Sequence, residues 1–337
     1  MFENLKLQPE DKIMALMSLY KADERKEKID LGVGVYKNSK GQTPIMSAVQ
    51  KAAITLNNTQ KTKSYVGLSG NLGFIDNISQ LVLADVVSKN QILGAQAPGG
   101  TGAFHQLLLL IRSMGKDNRV WISSPSWPNH AAILKHLGIQ FNSYNYFDYE
   151  TCEVNFPRMM SDLQKTNSGD VLLLHGCCHN PTGANLSLEH WTELTKFCEK
   201  KNILPLIDLA YQGFGDGIHD DVKGVQYMAS NLPEVCIGIS CSKNFGLYRE
   251  RVGAALMVVS DQKNHKLVEE NLKSFNRVTF SFPPDYGASL VEIILGGNNS
   301  QNKELINLWE KELNGMRNGM LELRKLLSAS LRMSTNS

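Results

Sequence analysis

From about residue 90 onward, short apolar runs alternate with stretches whose apolar residues recur at helical spacing. The pattern predicts strands over Gln91–Ala97, Arg119–Ser123, Asp170–Gly176, Ile203–Leu209, Val235–Ser240 and Ala254–Val259. Between them it predicts helices over Thr101–Met114, Pro128–Leu137 and Ser187–Lys200. The last helix opens on a capping serine and carries Leu188, Trp191, Leu194 and Phe197 or Cys198 on one face. A run as apolar as Asp170–Gly176 (DVLLLHG) reads as a buried strand. Its alternation with helices specifies an α/β fold on a mainly parallel sheet. A final helical pattern over residues 303–327 puts Leu305, Leu308, Trp309, Leu313, Met316, Met320, Leu323 and Leu327 in one stripe. Core packing accounts for that stripe, and a stripe so long needs a covering partner.

At 337 residues the chain is expected to hold one large domain and a smaller piece. Apolar residues make up 42% and charged residues 20%, as in ordinary globular enzymes. The net charge of +2, from 35 basic and 33 acidic residues, points to neither a nucleic-acid partner nor a membrane surface. The best apolar run, Leu107–Ile111, is far too short to span a bilayer. The first residues, MFENLKLQPEDK, carry no signal or transit pattern. Cysteines at 152, 177, 178, 198, 236 and 241 form no CxxC pair and suit neither a disulfide framework nor a zinc site. Reduced thiols in a cytoplasmic protein are the simple reading.

In parallel sheets ligands collect at the carboxyl ends of the strands, and polar clusters stand at those ends here. Lys243 follows an apolar strand and lies among Ser240, Ser242 and Arg251. Most lysines are solvated surface charges, but a partly desolvated one becomes a neutral amine nucleophile. The serines and the arginine are suited to a phosphate dianion. Asp208 ends another apolar run; it reads as a structural acceptor or as the partner of a cationic ring nitrogen. Tyr211 and Asn180 are placed to bond a ring oxygen. Gly99-Gly-Thr-Gly102 opens a helix, where backbone N–H groups bind phosphate, but it matches neither the Walker nor the dinucleotide pattern. Trp127 is a buried aromatic or a stacking surface for a planar cofactor, and His130 a core histidine or a donor holding a carboxylate.

Taken in order, Leu31-Gly-Val-Gly-Val-Tyr36, Gly100-Thr-Gly102, Ser126-Trp-Pro-Asn-His130, His175-Gly-Cys-Cys-His-Asn-Pro-Thr-Gly183, Asp208-Leu-Ala-Tyr-Gln-Gly213, Ser240 to Arg251 and Ser281-Phe-Pro-Pro284 span nearly the whole chain. The set resembles class I pyridoxal-phosphate-dependent aminotransferases, in the aspartate and aromatic amino-acid branch. The resemblance implies the fold type I architecture of that family. It places an N-terminal arm and small-domain segment at 1–40, a large cofactor-binding domain at 41–300, and a long helix at 301–337 entering a small domain that is incomplete.

The resemblance also implies residue roles. Lys243 carries pyridoxal 5'-phosphate as a Schiff base and then shuttles the substrate proton. Asp208 pairs with the pyridine nitrogen, with His130 and His175 behind it. Tyr211 and Asn180 contact the ring oxygen, and Trp127 stacks on the ring. Gly100, Thr101, Ser240, Ser242 and Arg251 cradle the phosphate, joined by Tyr65 from the partner subunit. Gly34 closes over substrate beside Trp127 and Asn180, and Arg277 binds a side-chain carboxylate across a homodimer interface. The implied partners are an amino acid and a 2-oxo acid, with active sites shared between subunits.

Gly99 and Phe282 depart from the serine and asparagine usual in the family, and the chain stops before the family's C-terminal substrate arginine. The leading expectation is transfer between L-aspartate and 2-oxoglutarate, because Arg277 suits a dicarboxylate. The alternatives are an aromatic amino-acid aminotransferase and a catalytically impaired remnant lacking that C-terminal arginine. A dehydrogenase is disfavoured by the missing dinucleotide fingerprint, and a decarboxylase by the His-Asn-Pro-Thr-Gly and Arg277 segments.

Overall fold

The run VLLLH at 171–175 is buried at every position, which demands cover on both of its faces. The computed structural model supplies that cover and describes residues 2–7, 12–30, 32, 34–115, 118–296 and 300–335. Contacts divide the chain into two units, 1–44 and 45–337. The first contains helix α1 (Lys12–Ala22) and an ion pair between Lys37 and Asp30 at 2.7 Å. In the second, α2 (Ser47–Thr59) and α3 (Leu72–Leu83) precede β1 (Ile92–Pro98), α4 (Gly99–Met114), β2 (Val120–Ser124), α5 (Pro128–His136) and β3 (Phe141–Asn145). A short hairpin of β4 (Phe147–Asp148) and β5 (Glu153–Val154) leads to α6 (Phe156–Leu163), β6 (Val171–His175), α7 (Leu188–Lys201) and β7 (Leu204–Leu209). The unit continues with α8 (Lys223–Asn231), β8 (Glu234–Ser240), β9 (Val252–Val259), α9 (His265–Thr279), α10 (Asp285–Leu295) and α11 (Ser300–Thr335).

Seven strands form one sheet in the order β1-β9-β8-β7-β6-β2-β3. Neighbours pair in parallel except β9, which runs antiparallel to both β1 and β8. One core lies under α4, α5 and α9, built on Phe104, Leu107, Leu134 and Leu272. The other lies under α2, α3, α7, α8, α10 and the first turns of α11. The result is a three-layer α/β/α sandwich, with an antiparallel strand inside the mainly parallel sheet.

Helix α11 is tied down where it crosses the sheet's polar edge. Trp309 is fully buried, stacks on Phe245 at 4.5 Å, and donates its Nε1–H to the Asn244 carbonyl at 2.8 Å. Glu312 accepts the N–H groups of Ser47 and Ala48 at 2.7 and 3.0 Å, satisfying the open start of α2. The apolar stripe divides along its length: Leu305 and Leu313 are buried, whereas Leu323 and Leu327 are 65% and 60% exposed.

Candidate active site

Four strand ends converge on one cleft of about 230 Å³. β1 delivers the N-terminus of α4, with Gly100 and Thr101 on the cleft wall. β6 ends on His175 and β7 carries Asp208 as its last residue but one, the two being paired in register. β8 ends on Ser240, and the chain then presents Ser242, Lys243 and Arg251 to the same space. Trp127, Asn180 and Tyr211 line it as well. Ten of these eleven were singled out for a cofactor and the eleventh, His175, for a place behind Asp208, where His130 also lies.

Close packing explains the glycines. Gly99 has φ +72°, and a Cβ there would sit 2.4 Å from Nη2 of Arg251. A side chain at 99 therefore costs backbone strain and displaces the guanidinium. A Cβ on Gly100 would lie 2.8 Å from Ser240 Cβ, so the start of α4 fits against β8 only without one. The guanidinium is held by bonds from Nη1 to the Tyr248 carbonyl at 3.1 Å and to Ser242 Oγ at 3.4 Å.

Asp208 is 14% exposed, at the cleft floor. Burial pushes its carboxyl up, but the His130 hydrogen bond and the nearby His130, His175 and Lys243 outweigh that and hold it below the ordinary carboxylate range. His130 Nε2 lies 2.8 Å from Asp208 Oδ2, and His130 Nδ1 lies 3.1 Å from Ser126 Oγ. A carboxylate only accepts, so Nε2 carries the donated proton. Burial lowers His175 to about 4, against the pull of Asp208, so this ring is neutral near pH 7. Its Nδ1 accepts the Asn180 N–H at 3.5 Å, while Nε2 is buried with no partner among the described residues.

Burial also lowers the Lys243 amine, with Arg251 adding to the effect and Asp208 opposing it. Its Nζ stands 4.8 Å from the Tyr211 ring centroid. The Tyr211 hydroxyl is raised by burial and by the Asp208 carboxylate, and it accepts from Asn180 Nδ2 at 3.4 Å. Trp127 meets His130 edge-on, with ring centroids 5.1 Å apart.

This cleft fits a flat ligand with three polar handles. The helix N-terminus, two serines and Arg251 suit a dianion at one end. An ionised Asp208 suits a cationic ring nitrogen at the other. A lysine amine with reduced proton affinity stands between them, suited to an electrophilic carbonyl. Pyridoxal phosphate carries all three features.

Comparison with known proteins agrees. The family profile described as aminotransferase class I and II matches residues 26–335. The chain belongs to this aminotransferase family. It is 48% identical over 332 residues to the aromatic-amino-acid aminotransferase of Paracoccus denitrificans, covering 98% of this chain and 83% of the relative. It is 39% identical over 334 residues to the aspartate aminotransferase of Escherichia coli strain K12, covering 98% and 83%. Among solved structures, an aromatic-amino-acid aminotransferase from Burkholderia pseudomallei covalently bound to pyridoxal phosphate superposes with TM-score 0.92 at 33% identity, covering 96% of this chain and 81% of that one. This aminotransferase is a pyridoxal-phosphate-dependent transaminase. Among the described residues, no helix is long and apolar enough to cross a membrane.

Of the residues expected from the second unit, Tyr65 and Arg277 do not line the cleft. Tyr65 is 84% exposed and stacks on Phe282 at 4.8 Å. Arg277 bonds Ser281 Oγ at 2.5 Å and places its guanidinium 5.6 Å from the other partner of that stack, the Phe282 ring. Gly34 is exposed in the first unit, with no atom within 4 Å of an added Cβ, and Leu31 and Val33 of its motif lie outside the described residues.

Sequence reasoning missed His179. It is buried, bonds Ser123 Oγ and Thr182 Oγ1 at 2.9 Å each, stacks on Tyr146 at 4.0 Å and meets the tilted ring of His175 at 4.1 Å. It fixes the loop that carries Asn180. Its place beside Asn180 in the motif was the available signal. Tyr248 and Ala210, which also line the cleft, had none.

Proposed function

We propose that this aminotransferase moves the amino group of an aromatic amino acid to a dicarboxylic 2-oxo acid such as 2-oxoglutarate, with Lys243 as the covalent anchor and proton carrier. The observation that carries the reading is the desolvated amine of Lys243 in one cleft with Asp208 and Arg251. Aromatic substrates are placed first because of the 48% identical relative and because Phe282 puts an aromatic face beside Arg277. Aspartate is the second reading, supported by the exposed cation of Arg277 and by the 39% identical relative.

Pyridoxal phosphate, when bound, supplies the electron sink for the substrate α-carbon. Gly100 and Thr101 offer backbone N–H groups to its phosphate, with Ser240, Ser242 and Arg251 completing the grip. Asp208, kept ionised by His130, stabilises charge on the ring nitrogen. Asn180 and Tyr211 are the donors for the ring oxygen, and Trp127 covers one ring face. Burial makes Lys243 Nζ a neutral amine at lower pH than a solvated lysine, so it can add to a carbonyl and later take up and return a proton. Tyr65 and Arg277 face outward and act on the cleft of a second copy, which makes the working form a homodimer in the cytoplasm.

The test is the absorbance spectrum of the purified chain with pyridoxal phosphate, before and after phenylalanine or aspartate, beside Lys243→Ala. A lysine-dependent band that phenylalanine converts supports the reading. A band present equally in Lys243→Ala overturns the role of Lys243. Conversion by aspartate with none by phenylalanine overturns the aromatic assignment.

A further inference from the structure

Beyond the cleft, the chain leaving β6 turns back sharply. Cys178 has φ +47°, and its N–H donates to Asn185 Oδ1 at 2.6 Å. This turn brings two adjacent thiols to Asp221. One ligand atom from each of Cys177, Cys178 and Asp221 lies within 4.8 Å of the other two. A second geometric measure agrees: a Cβ built on Gly215 would sit 2.5 Å from Asp221 Oδ1 and 3.3 Å from Cys178 Sγ, so both atoms face the same point of backbone.

Asp221 is held in a fixed orientation. Its Oδ2 accepts the N–H groups of Gly213 and Gly215 at 2.7 and 3.0 Å. Its Oδ1 accepts Asp216 N–H at 2.7 Å and Gly217 N–H at 3.4 Å, and the longer of these is the one a bound cation would displace. A cavity of about 350 Å³ opens beside Cys177 and Asp221, with Asp216 and Asp220 also on its wall. Lys223 lines it too and pairs with Asp220 at 2.6 Å, and the cavity gives the buried Cys177 thiol a route to solvent.

Although the cysteine spacing matches no zinc motif, we propose that Cys177, Cys178 and Asp221, brought together by the fold, form a binding site for a thiophilic divalent cation such as Zn²⁺ or Cd²⁺. Two sulfur ligands select a soft ion over Mg²⁺ or Ca²⁺, which take oxygen ligands in larger number. Tetrahedral ligands at about 2.3 Å for sulfur and 2.0 Å for oxygen stand roughly 3.5–3.8 Å apart, so the three atoms need contract by no more than about 1.3 Å. The cavity side supplies the open fourth position for water. On binding, each thiol releases its proton to solvent and two metal–sulfur bonds form without electron transfer. Two protons leave and one 2+ ion enters, so the buried site gains no net charge. The bound ion ties the segment carrying Asn180 to the loop that follows Tyr211.

The test is titration of the full chain, loaded with pyridoxal phosphate, with Cd²⁺, reading the ultraviolet sulfur-to-metal charge-transfer absorbance. One ion per chain is expected, with competition by Zn²⁺. Cys178→Ser should weaken binding by more than the roughly 10–100-fold that follows loss of an outer-shell partner. Cys177→Ala, checked for native circular dichroism, should do the same. Cys152→Ser, which removes the exposed thiol, should leave the titration unchanged. Absence of the band overturns the site, as does a band that survives both Cys177→Ala and Cys178→Ser or vanishes with Cys152→Ser.

Discussion

The cleft around Lys243 and the patch around Phe282 are built by opposite means. In the cleft, side chains from separate strand ends are partly or fully buried, and several are held by more than one polar contact: Asp208 leans on His130, which leans on Ser126. In the patch, Tyr65 and Arg277 meet an aromatic ring at the surface and face solvent. Losing a partner of a desolvated hydrogen-bonded charge costs several kcal/mol, whereas an exposed cation–π contact contributes about 0.5–1 kcal/mol. On the function proposed above, the chemistry is preorganised by the buried cleft, and substrate choice falls to side chains held weakly enough to adapt.

The sharpest way to break the comparison is at Lys243. Lys243→Ala should abolish covalent cofactor attachment and reduce turnover by at least about 10²–10⁴-fold, the range for losing a positioned acid–base group. Single-turnover absorbance measures it. A Phe282 variant should keep the attachment band intact, and a comparable loss there would erase the distinction between the two regions.

Next comes Asp208. Asp208→Asn keeps the shape but removes the charge, leaving the His130 Nε2–H without its ionic acceptor. Cofactor affinity should fall by about 2–5 kcal/mol, or roughly 30- to several-thousand-fold. Fluorescence titration with pyridoxal phosphate reads this directly. His130→Phe should give a smaller loss of the same sign, because Asp208 then keeps its charge with less support.

Much of the cleft could be read from the chain because its residues stand at strand ends, and strand ends are marked by an apolar run giving way to polar residues. VLLLH before Gly176 and LPLIDL ending at Leu209 carry that mark. The direction of β9 carries no such mark. All eight of its residues are buried, and a uniformly apolar run looks the same whichever way it runs. The function of His179 depends on Ser123, 56 positions away, and the stack of Tyr65 on Phe282 joins residues still farther apart. Helical spacing located the α11 stripe but not what covers it. Trp309 is buried against Phe245 while Leu323, on the same stripe, is exposed.

The pH dependence of the amine sharpens the electrostatic side of the comparison. Burial and Arg251 lower the Lys243 amine, and Asp208 opposes them. The neutral, reactive fraction rises as pH climbs through that lowered value, so reaction of the cofactor-free chain with pyridoxal should accelerate at lower pH than for a solvated lysine. Removing Asp208 takes away the charge that favours the ammonium, so Asp208→Asn should move the profile to lower pH. Removing Arg251 takes away a charge that disfavours it, so Arg251→Gln should move the profile to higher pH. Shifts of the same sign in both variants would contradict the arrangement.

The smallest effect belongs to Phe282. Its ring contributes an exposed stack with Tyr65 and a cation–π contact with Arg277, each worth about 0.5–1.5 kcal/mol. Phe282→Asn should change the ratio of kcat/KM for phenylalanine to that for aspartate by no more than about tenfold, in favour of aspartate. The aromatic face is lost, and Arg277, still bonded to Ser281, loses its ring contact and so is freer to meet a carboxylate. Arg277→Leu should push the ratio the other way and leave the attachment spectrum unchanged. If Phe282→Asn instead weakens pyridoxal phosphate binding while the ratio stays constant, the patch acts through Tyr65 on the cofactor rather than through Arg277 on the substrate. The patch would then serve to retain the cofactor in the second copy's cleft and not to choose the substrate.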